Sequence, residues 1–270
     1  VSVEVDVASE FRYRNPLFYP GDIFIVISQS GETADTLAAM RLAKASGAKI
    51  IAITNCVGST VSREADCVIY TWAGPEIAVA STKAYLTQLV CLYLLALKCA
   101  NVRGLLQGGA YSALLQELNA VPQKIQSIVE NKTNIQKIAS QQFNKQKIFF
   151  IGRQFDNAVS LECALKLKEV SYMHSEAFAA GELKHGPIAL LDPTTLVVAL
   201  ATDRPLFDKI ASNIVECASR KAATLVITQD TSGYFDKAAG SVVQIPEITD
   251  AHGRRKEDVS SGLPEWCPCS

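Results

Sequence analysis

Six short apolar runs fall into two triplets with almost the same spacing. "IFIVIS" begins at residue 23, "KIIAIT" at 49 and "CVIYT" at 67; "LVVALA" begins at 196, "TLVIT" at 224 and "VVQIP" at 242. Several of these runs are apolar on successive residues instead of alternating, which suits strands covered on both faces. Helical patterns lie between them, so the chain reads as βαβ units on parallel sheets with helices on both sides. The recurrence makes it two copies of one α/β unit. The strands are expected at Val3–Val7, Ile23–Ser28, Lys49–Thr54, Asp66–Tyr70, Lys147–Ile151, Thr195–Leu200, Thr224–Thr228 and Ser241–Ile245. The helices are expected at Thr33–Ser46, Glu76–Cys99, Tyr111–Glu130, Asn134–Phe143, Asn157–Met173 and Leu206–Ala218.

The repeat divides the chain into a first domain over 1–130, a second over 131–250 and a polar tail over 251–270 that lacks helical periodicity. The copies differ at their ends. The second opens with a strand and helix over Lys147–Met173, where the first has only Val3–Val7. The first closes with a long apolar helix, for which the second has no counterpart after Ile245. The first unit is therefore expected to lack its opening strand and the second its closing helix.

Composition narrows the partners. The 270 residues carry a net charge of −1, so the chain has no basic excess for nucleic acid or an anionic membrane surface. Its eight cysteines follow no framework spacing, which predicts reduced core thiols in a cytoplasmic protein. Cys267-Pro-Cys269 has no neighbouring ligands, and neither metal nor cofactor is expected. The longest apolar run, Ala84–Leu97 between Lys83 and Lys98, is shorter than the roughly 20 residues of a membrane span. It predicts a buried helix.

Chemistry concentrates where the first run of the first triplet ends, at Ser28-Gln29-Ser30-Gly31-Glu32-Thr33. The first N–H groups of a helix have no intrahelical partner, and the helix dipole places partial positive charge on them. Gly31 would let a ligand approach the backbone. Ser28, Ser30 and Thr33 add hydroxyls and Gln29 an amide, a donor set that matches a phosphate monoester. A plain capping cluster at Ser30 or Thr33 is the alternative, but capping needs a single hydroxyl. Without a Lys the loop is no nucleotide P-loop, and Ser28 stands where a nucleophile elbow needs Gly. The equivalent turn of the second copy, "ATDRPL", has no serine pair.

"ISQSGETADTL", "PEIAVASTKAYLTQL", "ALKLKEVSYMHSEAFAAGELKHGPIALL" and "VASEFRYR" resemble the isomerase half of the glutamine:fructose-6-phosphate aminotransferases, two tandem sugar-isomerase (SIS) domains. The resemblance runs over roughly residues 1 to 246. It implies conversion of fructose-6-phosphate to glucosamine-6-phosphate, in the synthesis of hexosamines and UDP-N-acetylglucosamine. By it, Ser28, Gln29, Ser30 and Thr33 hold the sugar phosphate, and Val79 and Ser81 contact the sugar. Glu169 moves a proton between C1 and C2, while Lys166 and His185 assist ring opening and proton shuttling. It also implies a homodimer, in which the histidine comes from the neighbouring subunit, and a glutaminase domain in a full-length parent.

The residues alone leave other readings open. Lys166 and Glu169 are three apart on an expected helix and suit a surface ion pair; His185 in "LKHGP" suits a surface histidine. The pattern departs from the family in three places. There is no glutaminase domain, no Cys-Gly-Thr-Ser-like turn ahead of the first triplet, and no match to the family's C-terminal helix and lysine. These departures predict weak activity or none for the polypeptide alone. The alternative function is a non-catalytic SIS module that binds a phosphosugar as a regulator.

Overall fold

The structure, a computed structural model, describes residues 2–78 and 80–248. The chain forms two compact units, Val1–Leu105 and Leu106–Ser270. Each carries its own parallel sheet with helices against it, as the alternating pattern requires.

The first unit holds strands β1 (Ile23–Ser28), β2 (Lys49–Thr54) and β3 (Cys67–Tyr70), in the order β1-β2-β3 and all parallel. Its helices are α1 (Ala8–Phe11), α2 (Ala34–Ala45), α3 (Thr60–Glu64) and α4 (Lys83–Val102). Helix α2 buries Leu37, Met40 and Ala43 along one stripe. With Val26, Ile50, Ala52 and Val61 they form the core of this unit. The helix stops at Gly47, whose φ of +88° a Cβ would oppose, and the Ala48 N–H closes back on the Ala43 carbonyl.

The second unit holds α5 (Ala110–Glu130), α6 (Thr133–Gln142), β4 (Lys147–Gly152), α7 (Phe155–Ser171), β5 (His174–Ala179), β6 (Thr195–Ala201), α8 (Phe207–Ser219), β7 (Ala223–Thr228) and β8 (Ser241–Gln244). Its five strands run parallel in the order β5-β4-β6-β7-β8. The two-residue period of a strand sorts the core into two layers. Phe149, Ile151, Val197 and Ala199 face α8 through Phe207, Ile210 and Ile214. Ile148, Phe150, Leu196, Val198 and Leu200 form the opposite cluster with Ala164 of α7.

The structure changes four expectations. Residues 3–7 are not a strand: Val5 is 92% exposed, and a strand without a neighbour to pair with gains nothing from alternating valines. His174–Ala179 is a strand at the sheet edge, although its polar start conceals it. Helix α4 is not buried. It meets β2 along one stripe, burying only Ala84 and Cys91 and leaving Leu86, Tyr93 and Leu94 exposed. By length and composition alone this helix would suffice to cross a membrane. Finally, Cys56, Cys67 and Cys99 are exposed, whereas Cys91 and Cys217 are core thiols.

Candidate functional site

Strand β1 delivers Ser28 to the carboxyl edge of the first sheet, where open α/β sheets bind ligands. Gln29, Ser30 and Thr33 line a cavity of about 270 Å³ there, together with Glu76, Ala78 and Ser81 from the segment between β3 and α4. Thr33 is the N-cap of α2 but makes no side-chain cap hydrogen bond. The first intrahelical bond runs from the Leu37 N–H to the Thr33 carbonyl at 2.9 Å. The N–H groups of Ala34, Asp35 and Thr36 therefore precede the ladder. A hydroxyl-lined cavity at a helix start that no side chain caps can take an anion.

Two residues of the loop play parts other than those expected. Ser28 is 7% exposed. Its Oγ accepts the Gly31 N–H at 3.0 Å and lies 3.2 Å from Thr33 Oγ1, so this hydroxyl builds the turn. Ser30 Oγ accepts the Glu32 N–H at 3.2 Å and still lines the cavity. Gly31, at φ +68°, is a close-approach glycine, but what approaches is protein. A Cβ there would stand 2.2 Å from Ser59 Oγ. Val79 lies outside the described residues.

The edge of β2 fixes this loop from behind. The Gln29 carbonyl accepts the Asn55 N–H at 3.1 Å and lies 3.4 Å from Thr54 Oγ1. Asn55 also ties down the next segment: its Oδ1 accepts from Thr71 Oγ1 at 3.0 Å and the Ala73 N–H at 2.9 Å, and its Nδ2 donates to the Gly74 carbonyl. Glu76 accepts the Ala84 N–H at 3.1 Å, capping the start of α4 next to Ser81. Sequence reasoning missed Asn55, and it made Glu76 the first residue of a helix that begins only at Lys83. Their signal, a polar residue directly after a strand or near a helix start, is shared by many ordinary loop residues.

The second unit carries the remaining predicted residues. Lys166 and Glu169 meet on α7, with Nζ 2.5 Å from Glu169 Oε2 and 3.5 Å from Glu162 Oε1. Burial alone would lower the Lys166 ammonium. The hydrogen bond that Lys166 donates to Glu169 and the charges of Glu162 and Glu169 outweigh it and hold the pKa above the ordinary lysine value. The Glu169 side chain is 34% exposed, so this is a partly solvated pair. His185 stands on a separate element, at the end of a 3₁₀ turn (Leu183–His185) that buried Leu183 anchors, and is itself exposed.

A family model for the SIS domain matches residues 1–98 and 143–251. The glutamine–fructose-6-phosphate aminotransferase (isomerizing) of Clostridium tetani is 54% identical over 247 residues, covering 92% of this chain and 41% of that protein. The chain thus spans about two fifths of the length of the curated relatives it matches. The C-terminal domain of glucosamine-fructose-6-phosphate aminotransferase from Francisella tularensis superposes with a TM-score of 0.86 at 36% identity, covering 92% of this chain and 71% of that one. Tagatose-6-phosphate ketose/aldose isomerase from Escherichia coli, at 18% identity and TM-score 0.64 over 82% of this chain and 60% of that one, shares the fold alone.

Proposed function

The chain belongs to the SIS domain family, and we propose that it is the sugar-phosphate isomerase part of an aminotransferase that converts fructose-6-phosphate to glucosamine-6-phosphate. The carrying observation is the cavity at the carboxyl end of β1, where Gln29, Ser30, Thr33 and Ser81 converge on the uncapped start of α2. The dianion sits on those side chains and on the first N–H groups of α2. Ser28 holds the turn beneath it, and Ser81 and Val79 contact the sugar.

With the phosphate fixed, the carbon chain is held for proton transfer between C1 and C2. Glu169 is the base in that transfer. Lys166 stays protonated beside it, near the carbonyl oxygen. For Glu169 to act, its carboxylate must share or leave the Lys166 ion pair. His185 shuttles protons during ring opening. It comes from the partner subunit of a homodimer. Ammonia is supplied by a glutaminase domain of the full-length protein, which works in the cytoplasm.

Titration calorimetry with fructose-6-phosphate tests the seat. A hydrogen bond to a charged group contributes about 1.5–3 kcal/mol, so Ser30→Ala is expected to weaken binding at least about tenfold. Equal affinity in the two proteins would refute the assignment. Binding without formation of the aldose product would favour a regulatory module instead.

A further inference from the structure

Glu32 is the single acid in a stretch otherwise made of hydroxyls, an amide and a glycine, and a second carboxylate turned into a cavity that Glu76 already lines would repel a phosphate dianion. Here it is turned the other way. Its Oε1 accepts the Thr60 N–H, the first residue of α3, at 2.7 Å. A capping hydroxyl accepts the N–H of the second or third helical residue and leaves this first one open. Ser59 occupies the N-cap position yet makes no cap hydrogen bond, and its buried Oγ has no partner among the described residues. The hydroxyl instead lies against Gly31, in the space a Cβ would need.

The next N–H along α3, that of Val61, donates to the Gly31 carbonyl at 3.0 Å. Two successive N–H groups of α3 therefore hold two successive residues of the loop, one through a side chain and one through the backbone. Arg63 balances the charge. Its Nη2 donates to Thr60 Oγ1 at 2.9 Å. The Glu32 carboxyl is held below its ordinary value, chiefly by the Thr60 N–H and with a smaller contribution from Arg63. A folded pKa below the unfolded one means that the clamp is intact above the ordinary glutamate range and is lost as pH falls through the lowered value.

We propose that Glu32 is a positioning residue of the phosphate seat: by capping α3 it locks the turn that aims Ser30, Thr33 and the start of α2 at one anion. The inference rests on the site reading given above. A loop locked before the ligand arrives does not have to be ordered on binding, and that preserves affinity.

The test is titration calorimetry with fructose-6-phosphate on wild type, Glu32→Ala, Glu32→Gln, Thr60→Pro and the Glu32→Ala/Thr60→Pro double variant. Ser59, at φ −63° and ψ 161°, already has the extended geometry that a residue before proline prefers. Proline is tolerated at the first helical position. Thr60→Pro thus deletes the donor N–H while α3 persists. Glu32→Ala and Thr60→Pro are each expected to raise Kd about tenfold, and the double variant no further, because both remove the same bond. Glu32→Gln keeps an acceptor oxygen at the same reach and recovers most of the affinity. A merely structural role would lower the melting temperature of the variants and leave Kd in the folded protein unchanged. That result, tighter binding by Glu32→Ala, or losses that multiply in the double variant would each overturn the proposal. Wild-type protein that binds neither fructose-6-phosphate nor inorganic phosphate would overturn the site reading and this inference together.

Discussion

Cys217 is a thiol held out of reach. Burial pushes its pKa up to about 12, with Glu216 adding to the effect, and only the thiolate is nucleophilic. Cys56, Cys67 and Cys99 are exposed. Iodoacetamide at pH 8 is expected to alkylate those three in the native protein and to reach Cys217 only after denaturation, as read by peptide mass spectrometry. Native labelling of Cys217 at the rate of Cys56 would show that the α8 face of the core opens readily. The sequence did not separate these cysteines, because an apolar neighbourhood along the chain says which segment folds but not which face the residue occupies. The same limit applied to the corner after β1. Its hydroxyls stood out as a group, and Ser30 and Thr33 line the cavity. That Ser28 would turn under Gly31, and Glu32 away toward α3, depends on Ser59 and Thr60, some thirty residues downstream.

Strands and helices were legible where burial is two-sided. β6 is buried at every one of its seven residues, and its continuous apolar run announced it. β1 is apolar too, yet its burial alternates, with Ile23, Ile25 and Ile27 exposed, so an apolar run alone does not establish that both faces are covered. β5 was hidden because an edge strand can start with polar residues. Core position predicts the energetic contrast between these elements. Phe149 is fully buried on β4 and meets Phe178 edge-on at 5.2 Å. Phe149→Ala is expected to cost about 3–5 kcal/mol through lost transfer free energy and a residual cavity. Ile25→Ala, on the exposed face of β1, should cost below about 1 kcal/mol. Urea unfolding checks both; equal losses would mean that the β1 face is buried in solution.

At the scale of the molecule, the two triplets correctly announced two similar α/β units. The contacts divide at Leu105 and Leu106, so α5 belongs with the second unit, whereas the repeat had suggested a boundary near residue 130. The units are not equally closed. Among the described residues, the second sheet has five strands with a core cluster on each side, and the first has three strands and one cluster, gathered against α2. Hydrogen bonds inside a sheet open with a free energy set by the burial around them. Amides of β4, β6 and β7 are therefore expected to exchange with solvent slowest, and those of β1 and β3 faster. Even β2, the centre of its sheet, should exchange before β6. Hydrogen-exchange mass spectrometry on the intact chain decides this strand by strand. Protection of β1 and β2 equal to that of β6 would contradict the ranking, and would mean that the apolar faces left open on β1 and α4 are covered when the protein is in solution.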